Sequence, residues 1–452
     1  MNKSDSERVR TVIEGMGYRW TDNEEEANLL GILACSVRQK SIDKVYSRIA
    51  RWNKWKSHRN LLTFVSGCVL PADHEKFLKL FDLVFTMSEL PNLHDMIRQY
   101  GIVTGSIGVD PGGRPLGADL FVCPVLRPEE RIRDFWKLQP SYASDFEAFI
   151  PIQNGCDKFC TYCAVPYTRG REISRPSADI IGELKVLVEK GYKSITLLGQ
   201  NVNSYGLDKH GDELNFAGLL REIGEYGRSG ENEFWVYFTS PHPRDMSDEV
   251  LEVIAEYDCL AKQIHLPLQS GDDKVLIRMN RKHSMHDYQQ IIDSVRRILP
   301  NATIFTDIIV GFVGETDEQF ENTRRAMESI KFNMAYIAVY SPRPGAASSR
   351  WDDDISIQVK KKRLHLLTDE LTHHTLQYNN SFIGQRCKVL VTGHDRKQGY
   401  FSGITEGRII VRFASPQPVL PGTFVWLNIK AAAYYSIEGE MTHQSISIPE
   451  LS

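Results

Sequence analysis

The chain has 452 residues, of which 42% are hydrophobic and 25% charged, and its formal net charge is -4. This length is too great for one core, so we expect two or three domains with the composition of an ordinary globular protein. The negative net charge excludes a general basic field, so any RNA-binding surface must be a local patch.

The sequence contains no predicted membrane or export segment. No apolar run reaches the roughly 20 residues that span a bilayer, and the opening residues Met-Asn-Lys-Ser-Asp-Ser-Glu lack the apolar core of a signal peptide. We therefore expect a cytoplasmic protein whose cysteine thiols are reduced and able to hold metal.

The first part of the chain alternates between helix and strand. Ser4 and Asp5 are good N-cap residues for a helix that ends at Gly17. Apolar segments at 28–34 and 61–66 predict two buried strands, with a helix through 41–46 between them. We predict a doubly wound α/β domain over residues 1–103.

The two predicted strands end at cysteines. Cys35 follows the first strand, and Cys68 follows the second. Doubly wound sheets bind their ligands at the carboxyl ends of neighbouring strands, so both thiols are candidate metal ligands. Each could equally be a buried apolar cysteine, which is the commoner case.

Residues 104–145 are predicted to be a linker region. The stretch 109–117 is rich in turn-forming Gly and Pro, and 127–133 is charged. Cys123 lies here without a partner motif, so we interpret it as structural.

The motif that organises the chain is Cys156-x3-Cys160-x2-Cys163, directly after an apolar segment. A zinc site would need a fourth ligand nearby, and none follows. A disulfide framework is not expected in a long chain with reduced thiols. Three thiolates on a short loop suit a 4Fe-4S cluster, and three ligands leave one iron open for chemistry.

From residue 146 to 377 strands and helices alternate regularly. Alternating units of this kind predict parallel pairing with right-handed crossovers, and hence an open (βα)6 partial barrel. Chemistry in such sheets collects at the carboxyl ends of the strands, where this chain places polar or Gly-containing segments. The predicted strands are 146–152, 194–199, 234–239, 263–268, 303–310 and 335–340.

The C-terminal part begins with a charged helical stretch from Lys360 to Tyr378. Short alternating strands then predict a small antiparallel β-barrel over residues 378–446. Its basicity is modest, but the aromatic faces of residues such as Tyr400 and Phe401 are candidates for RNA binding.

These motifs resemble the radical SAM methylthiotransferases, and within them the type that modifies tRNA. The resemblance rests on the cysteine loop with Tyr162 before its last cysteine, on Val165-Pro166-Tyr167-Thr168-Arg169-Gly170, and on 199–206. The C-terminal barrel resembles the TRAM domain, an OB-like RNA-binding module. The resemblance covers nearly the whole chain except residues 104–145.

The resemblance implies two 4Fe-4S clusters and S-adenosylmethionine (SAM). Cys156, Cys160 and Cys163 would hold the cluster that binds and cleaves SAM, and Cys35 and Cys68 would hold part of a second one. The family motif for a third ligand reads Gly-Cys-x-Met-Asn, and its cysteine is expected just upstream of Met1. The implied SAM contacts are Tyr162, Gly199, Gln200, Asn201, Ser240, Gly311 and Gly314.

The implied reaction adds a methylthio group to carbon 2 of N6-isopentenyladenosine at position 37 of tRNA. Alternatives within the family are methylthiolation of threonylcarbamoyladenosine in tRNA or of a ribosomal-protein aspartate. An alternative of another class is an RNA-binding iron-sulfur protein that has lost sulfur insertion.

The expected partners follow from this reaction. They are the tRNA anticodon stem-loop and an electron donor such as flavodoxin or ferredoxin, and we expect a monomer that binds no membrane. Four arginines near the cysteine sites are candidate phosphate contacts, unless they form ion pairs with neighbours such as Glu172. They are Arg38, Arg169, Arg171 and Arg175.

Overall fold

The computed structural model of the chain describes residues 1–35, 39–104, 128–209, 211, 213–415 and 417–441. Arg38 and Cys123, a predicted phosphate contact and a predicted structural cysteine, lie outside these ranges. Within the ranges no helix combines the length and apolar character needed to cross a membrane.

The first part of the chain folds around a parallel sheet. In the described residues its strand order is β1-β2-β3, formed by β1 (Leu29–Cys35), β2 (Leu62–Cys68) and β3 (Leu83–Val84). The helices around it are α1 (Asn2–Gly15), α2 (Gln39–Lys56), α3 (Pro71–Leu78), α4 (Leu93–Thr104) and α5 (Pro128–Lys137).

Both faces of this sheet are covered by helices. Successive strand residues point to opposite faces, so Phe64 packs with Val9 and Phe135 of α1 and α5, whereas Val65 packs with residues of α2 and α3. This is the predicted doubly wound arrangement. At the edge strand β1, the Asn2 amide donates to the carbonyls of Leu33 (3.3 Å) and Ala34 (3.1 Å).

Helix α5 lies inside the predicted linker region. Its residues Ile132, Phe135 and Trp136 are buried against the 3₁₀ turn at Met87–Asn92. The charged composition concealed this helix, although apolar residues at positions i, i+3 and i+4 are a helical signal. The domain boundaries themselves stay a prediction.

The central part contains the predicted parallel strands in their predicted order. They form two sets of three in the described residues, β4-β7-β8 and β9-β10-β11. Hydrogen bonds from Val236 N to Cys259 O (2.7 Å) and from Ala261 N to Val236 O (3.0 Å) join the sets into one curved, open sheet. The ranges are β4 (Glu147–Pro151), β7 (Ser194–Leu198), β8 (Trp235–Phe238), β9 (Gln263–His265), β10 (Thr303–Val310) and β11 (Met334–Val339), with the short antiparallel pair β5 (Gln153–Asn154) and β6 (Ile173–Ser174).

Helices cover the outer face of this sheet and bury the largest apolar core in the described chain. Several are capped by Ser, Thr, Asn or Asp side chains; Thr316 and Ser284, for example, form capping boxes with Gln319 and Asp287. The helices are α6 (Val165–Arg169), α7 (Ser177–Glu189), α8 (Phe216–Ser229), α9 (Asp248–Glu256), α10 (Asp273–Arg278), α11 (Met285–Ile298) and α12 (Asp317–Ile330).

A long helix, α13 (Ile357–Asn380), leads to a closed barrel of five strands in the described residues. The small C-terminal barrel confirms the predicted fold; its pairings are antiparallel except that of β14 with β16, which is parallel. A closed ring with an odd number of strands cannot alternate direction throughout. The strands are β12 (Arg386–His394), β13 (Tyr400–Thr405), β14 (Ile410–Ala414), β15 (Phe424–Ala433) and β16 (Ser436–Met441).

The barrel docks on the amino ends of the central strands. Thr303, the first residue of β10, donates to Gly407 O (2.8 Å), and the Trp235 ring at the start of β8 lies 4.7 Å from that of Phe424. Arg408 donates to Thr196 Oγ1 (2.8 Å). The opposite, carboxyl ends of the strands stay available for the site.

The barrel also corrects one predicted RNA contact. Phe401 is 6% exposed and packs in the barrel core on Phe413, whereas Tyr400 next to it points outward. Neighbouring strand residues face opposite sides, so both could not have been exposed.

Candidate active site

The cysteine loop is clamped at its base by the β5-β6 pair. Gly155 adopts φ +82, and a Cβ there would lie 2.0 Å from Arg171 O, so only glycine fits this close approach. Inside the loop, Cys156 N donates to Gly170 O (3.2 Å) and Cys163 N to Cys160 O (3.0 Å). This curvature brings the three cysteines of the motif onto one short loop.

The loop thiols are half-buried and influence one another. Burial is the main cause that raises the pKa of Cys156 to about 11 and that of Cys163 to about 12, and the Cys160 thiol raises both further. Within the described residues no three His, Cys, Asp or Glu side chains are gathered closely enough to form an assembled metal site. The donor set nevertheless fits an iron-sulfur cluster, because a bound cation favours the thiolates that burial disfavours.

A second segment braces the loop from the side. Thr161 N donates to Met279 O (3.1 Å), Thr161 Oγ1 to Arg278 O (2.8 Å) and Asn280 Nδ2 to Phe159 O (3.0 Å). The next residue, Arg281, is 4% exposed and places Nη1 3.6 Å from Cys160 Sγ. Sequence reasoning missed Arg281, whose only signal was its place in the basic run Arg281-Lys282-His283.

Cys35 and Cys68 lie side by side at the ends of their strands. They are the last residues of β1 and β2 and are register partners in the parallel pair. The amino group of Met1 is buried near both thiols, and this burial lowers its pKa. The structure thus brings together the two cysteines that the sequence placed at neighbouring strand ends.

Arg169 connects the two cysteine sites. From the end of α6 its Nε donates to Cys68 Sγ (3.1 Å), Nη1 to Asn154 Oδ1 (3.3 Å) and Nη2 to the Asp5 carboxylate (2.6 Å). The side chain of Arg169 is 6% exposed and that of Asp5 0%. Of the two roles considered for Arg169, phosphate contact or ion pair, the structure therefore shows the ion pair.

The other described arginine candidates, Arg171 and Arg175, differ in their exposure to solvent. Arg175 is buried and paired with Glu183, so it also takes the ion-pair alternative. Arg171 lies on the surface with a 74% exposed side chain, paired with Asp157 through two hydrogen bonds of 2.7 and 2.9 Å. The neighbour suggested from sequence, Glu172, pairs with none of them; its carboxylate lies 2.5 Å from Ser204 Oγ instead.

A cavity of about 220 Å³ lies between the two cysteine sites. Cys68 and Cys163 both line it, together with Tyr162, whose ring packs edge-on against Phe312. Much of the remaining lining comes from the later strands and the segments that follow them. The lining includes Gln269, Asp307, Tyr336, Tyr340 and Arg343, with apolar Val165, Ile308, Ile309, Ala338 and Val339.

The segment after β7, the second strand of the central sheet, contains buried side-chain oxygens that have no hydrogen-bond partner among the described residues. Asn201 Nδ2 donates to Asp245 (2.9 Å), which is also 2.5 Å from the Lys158 ammonium in the cysteine loop. The side-chain oxygens of Gln200 and Asn201 are buried and have no hydrogen-bond partner among the described residues. Gly199 precedes them, and its hydrogen leaves room for Gln153 Oε1, 3.0 Å from where a Cβ would lie. Such oxygens suit an ammonium donor.

The remaining predicted SAM contacts lie at strand ends, as expected. Ser240 follows β8 with φ +62, and Gly311 and Gly314 follow β10 with φ +68 and +72. Both glycine amides already donate within the chain, to Glu315 (2.7 Å) and Asp354 (2.8 Å). Their role in SAM binding stays a prediction.

Two family models match the chain. The one described as the radical SAM superfamily matches residues 150–327, and uncharacterized protein family UPF0004 matches residues 1–87. The tRNA-2-methylthio-N(6)-dimethylallyladenosine synthase of Geobacter metallireducens is 38% identical over 98% of this chain and 96% of its own length. The synthase of that name from Syntrophotalea carbinolica is 36% identical over 97% of each chain. The chain belongs to this synthase family.

Membership in the synthase family confirms the predicted family and makes the chain a radical SAM enzyme. The fold is also similar to the solved radical S-adenosylmethionine methyltransferase TsrM from Kitasatospora setae, determined with tryptophan and a SAM analogue. The TM-score is 0.55 at 13% identity, covering 87% of this chain and 76% of that one. At this identity the likeness concerns the fold alone.

Proposed function

We propose that this chain is a tRNA methylthiotransferase that modifies carbon 2 of N6-isopentenyladenosine at position 37. The observation that carries the proposal is the cavity that Cys68 and Cys163 both line. It supplies one chamber bordered by a site for SAM cleavage and a site for a sulfur-carrying group. The named synthases, 35–38% identical over nearly the whole chain, support the same reaction.

The loop cysteines Cys156, Cys160 and Cys163 would hold a 4Fe-4S cluster. When bound, the cluster and SAM supply a radical that removes hydrogen from carbon 2 of the adenine. The protein's contribution is to hold the reactants in place: the buried oxygens of Gln200 and Asn201 suit the SAM ammonium, and Tyr162 forms part of the cavity wall.

Cys35 and Cys68 are proposed as ligands of a second cluster that carries the methylated sulfur. Their paired positions at the sheet edge and the Arg169 donor on Cys68 support this role. The other described cysteines outside the loop, Cys259 and Cys387, lie elsewhere, beside Ile223 and in the C-terminal barrel.

The cavity lining suits a prenylated adenine. Val165, Ile309 and Val339 offer an apolar surface for an isopentenyl group, and Gln269 and Asp307 offer hydrogen-bonding groups for a base edge. A base in an anticodon loop is unpaired, so it can enter such a chamber without opening a duplex. Among the described arginine candidates, exposed Arg171, which lies 5.7 Å from the Phe159 ring, is the one that stays available for RNA contact.

The test is an anaerobic assay of the reconstituted chain with SAM, a one-electron reductant and anticodon stem-loop RNA. We expect a 2-methylthio product with RNA bearing isopentenyladenosine, and none with threonylcarbamoyladenosine RNA or with an aspartate-containing ribosomal peptide. Product only with one of those alternatives would overturn the proposed substrate. SAM cleavage without any product would indicate an iron-sulfur protein that has lost sulfur insertion.

The same preparation tests the second cluster. A Cys156→Ala, Cys160→Ala, Cys163→Ala variant should retain iron and sulfide if Cys35 and Cys68 hold a cluster of their own, and should lose them otherwise. Flavodoxin or ferredoxin as electron donor and a monomeric state stay predictions, to be checked by reductant exchange and light scattering.

A further inference from the structure

Arg281 differs from the other buried arginines in the described part of the chain. Arg8 and Arg175 share the carboxylate of Glu183, and Arg363 contacts that of Glu315 at 2.7 Å. Arg281 is as deeply buried, at 4% exposure, yet none of the described Asp or Glu oxygens lies within 4.0 Å of it. A buried guanidinium without an anion is costly, so its retention calls for an explanation.

The groups around Arg281 are neutral or become negative only on metal binding. Nη2 donates to the carbonyl of Pro267 (2.7 Å), Nη1 lies 3.6 Å from Cys160 Sγ, and Nε has no partner in the described structure. The imidazoles of His242 and His283 also face it, and neither supplies negative charge. Further neighbours are the phenols of Tyr162 and Tyr288 and the thiol of Cys163, which carry no negative charge without a bound metal.

The geometry therefore points to Arg281 as a positioning residue whose guanidinium is the counter-charge of the cluster at Cys160, favouring its reduced state. The inference rests on the proposed cluster at the loop cysteines. Reduction adds one electron from an external low-potential one-electron donor and makes or breaks no bond in the protein. The added negative charge is stabilised by a fixed cation a few ångströms away, because little water is present to screen it.

The experiment compares Arg281→Met and Arg281→Lys in the full chain with Cys35→Ser and Cys68→Ser, so that one cluster gives the signal. The measurement is the midpoint potential from an EPR-monitored redox titration. We expect the Met variant to show at least a tenfold smaller ratio of reduced to oxidised cluster at a fixed potential, which is about 59 mV for one electron. The Lys variant keeps the charge and should recover most of this shift.

Arg296→Gln is the matched redox control. Arg296 also donates to a backbone carbonyl, that of Ile330 (3.1 Å), but it lies in the last turn of α11 and contacts none of the described cysteines. The midpoint potential of the cluster in Arg296→Gln should equal that in the parent. A Met variant with the parent potential, or a Lys variant as strongly shifted as Met, would overturn the inference.

A second measurement separates this role from a structural one. In iron-free full-length protein, Arg281→Met removes an unpaired buried charge and should leave the melting temperature unchanged or raised. Arg363→Met leaves the Glu315 carboxylate buried without its arginine partner and should lower the melting temperature. If Arg281→Met lowers the melting temperature as much as Arg363→Met, Arg281 is structural and the inference fails.

These readouts need neither tRNA nor product. A chain that binds a cluster with the expected potentials but forms no methylthio product contradicts the proposed function and leaves Arg281 as inferred. A chain with product and an unshifted Met variant contradicts only the inference.

Discussion

The ion pair between Asp5 and Arg169 should dominate the stability of helix α1. Its N–O distance is 2.6 Å, and the two side chains are 0% and 6% exposed. Removing one partner of a buried pair typically costs about 3–5 kcal/mol. In Asp5→Asn an amide oxygen still accepts from Arg169, and Cys68, Asn154 and Asn2 take its other donors, so we expect the lower end, about 3 kcal/mol.

Hydrogen exchange is the appropriate assay, because it reports the opening of α1 separately from that of the other cores. A loss of about 3 kcal/mol in local opening free energy accelerates exchange of the α1 amides roughly a hundredfold, while amides of α8 should not change. The control is Glu14→Gln, which breaks the half-exposed pair with Arg10 on the same helix (2.7 Å) and should cost less than about 1 kcal/mol.

The reasoning would be refuted by α1 exchange within about threefold of the parent in Asp5→Asn, which corresponds to well under 1 kcal/mol. A double-mutant cycle with Arg169→Gln adds a second check. The two substitutions should be clearly non-additive, because each alone leaves the other group buried and unpaired.

Three further predictions follow from the site and the barrel. Gly155→Ala should lower the iron and sulfide content to that of the Cys156→Ala, Cys160→Ala, Cys163→Ala variant, because its Cβ meets Arg171 O at 2.0 Å, whereas Gly170→Ala, with φ +80 but open space, should keep the parent content. Burial is the main cause that raises the pKa of Glu172 to about 7 from an ordinary value of about 4.5. Between these two pH values the folded chain holds a proton that the unfolded chain has released, so the stability of the fold should decrease as the pH rises from about 4.5 to about 7. Thermal melts of Glu172→Gln should show a weaker dependence on pH over this range. Phe401→Ala should destabilise the barrel by about 3–5 kcal/mol, seen as increased exchange of its strands, whereas exposed Tyr434→Ala should change it by less than about 0.5 kcal/mol.

Local patterns predicted the architecture well. The apolar runs located the central strands and the cysteine-bearing strand ends, because a strand buried on both faces must be continuously apolar. The two-residue strands β3, β5 and β6 and the longer strand β16 were missed. A two-residue strand has no periodicity to detect, and β16, Ser-Ile-Glu-Gly-Glu-Met, alternates around a single strongly apolar residue.

Contacts between side chains that are distant in the sequence could not be predicted from it. Asp5 and Arg169 are 164 positions apart, and Cys160 and Arg281 are 121 apart. Whether an arginine faces solvent or a buried carboxylate depends on how distant elements pack, which no local pattern encodes. The same holds for the cavity, which is lined from β2, the cysteine loop and the last three central strands.

The docking of the C-terminal barrel limits how this protein can be dissected. Leu390 and Phe424 of the barrel share one apolar cluster with Trp235 and Tyr237 of the central sheet. Truncation after α13 would expose those rings to water along with the polar groups of Thr196 and Thr303 that Arg408 and Gly407 now satisfy. Deletion of the barrel would therefore expose apolar surface and destabilise the central part of the chain. Loss of activity after such a deletion would not show whether the barrel binds RNA. Point substitutions on the outer face of the barrel would test RNA binding without disturbing this interface.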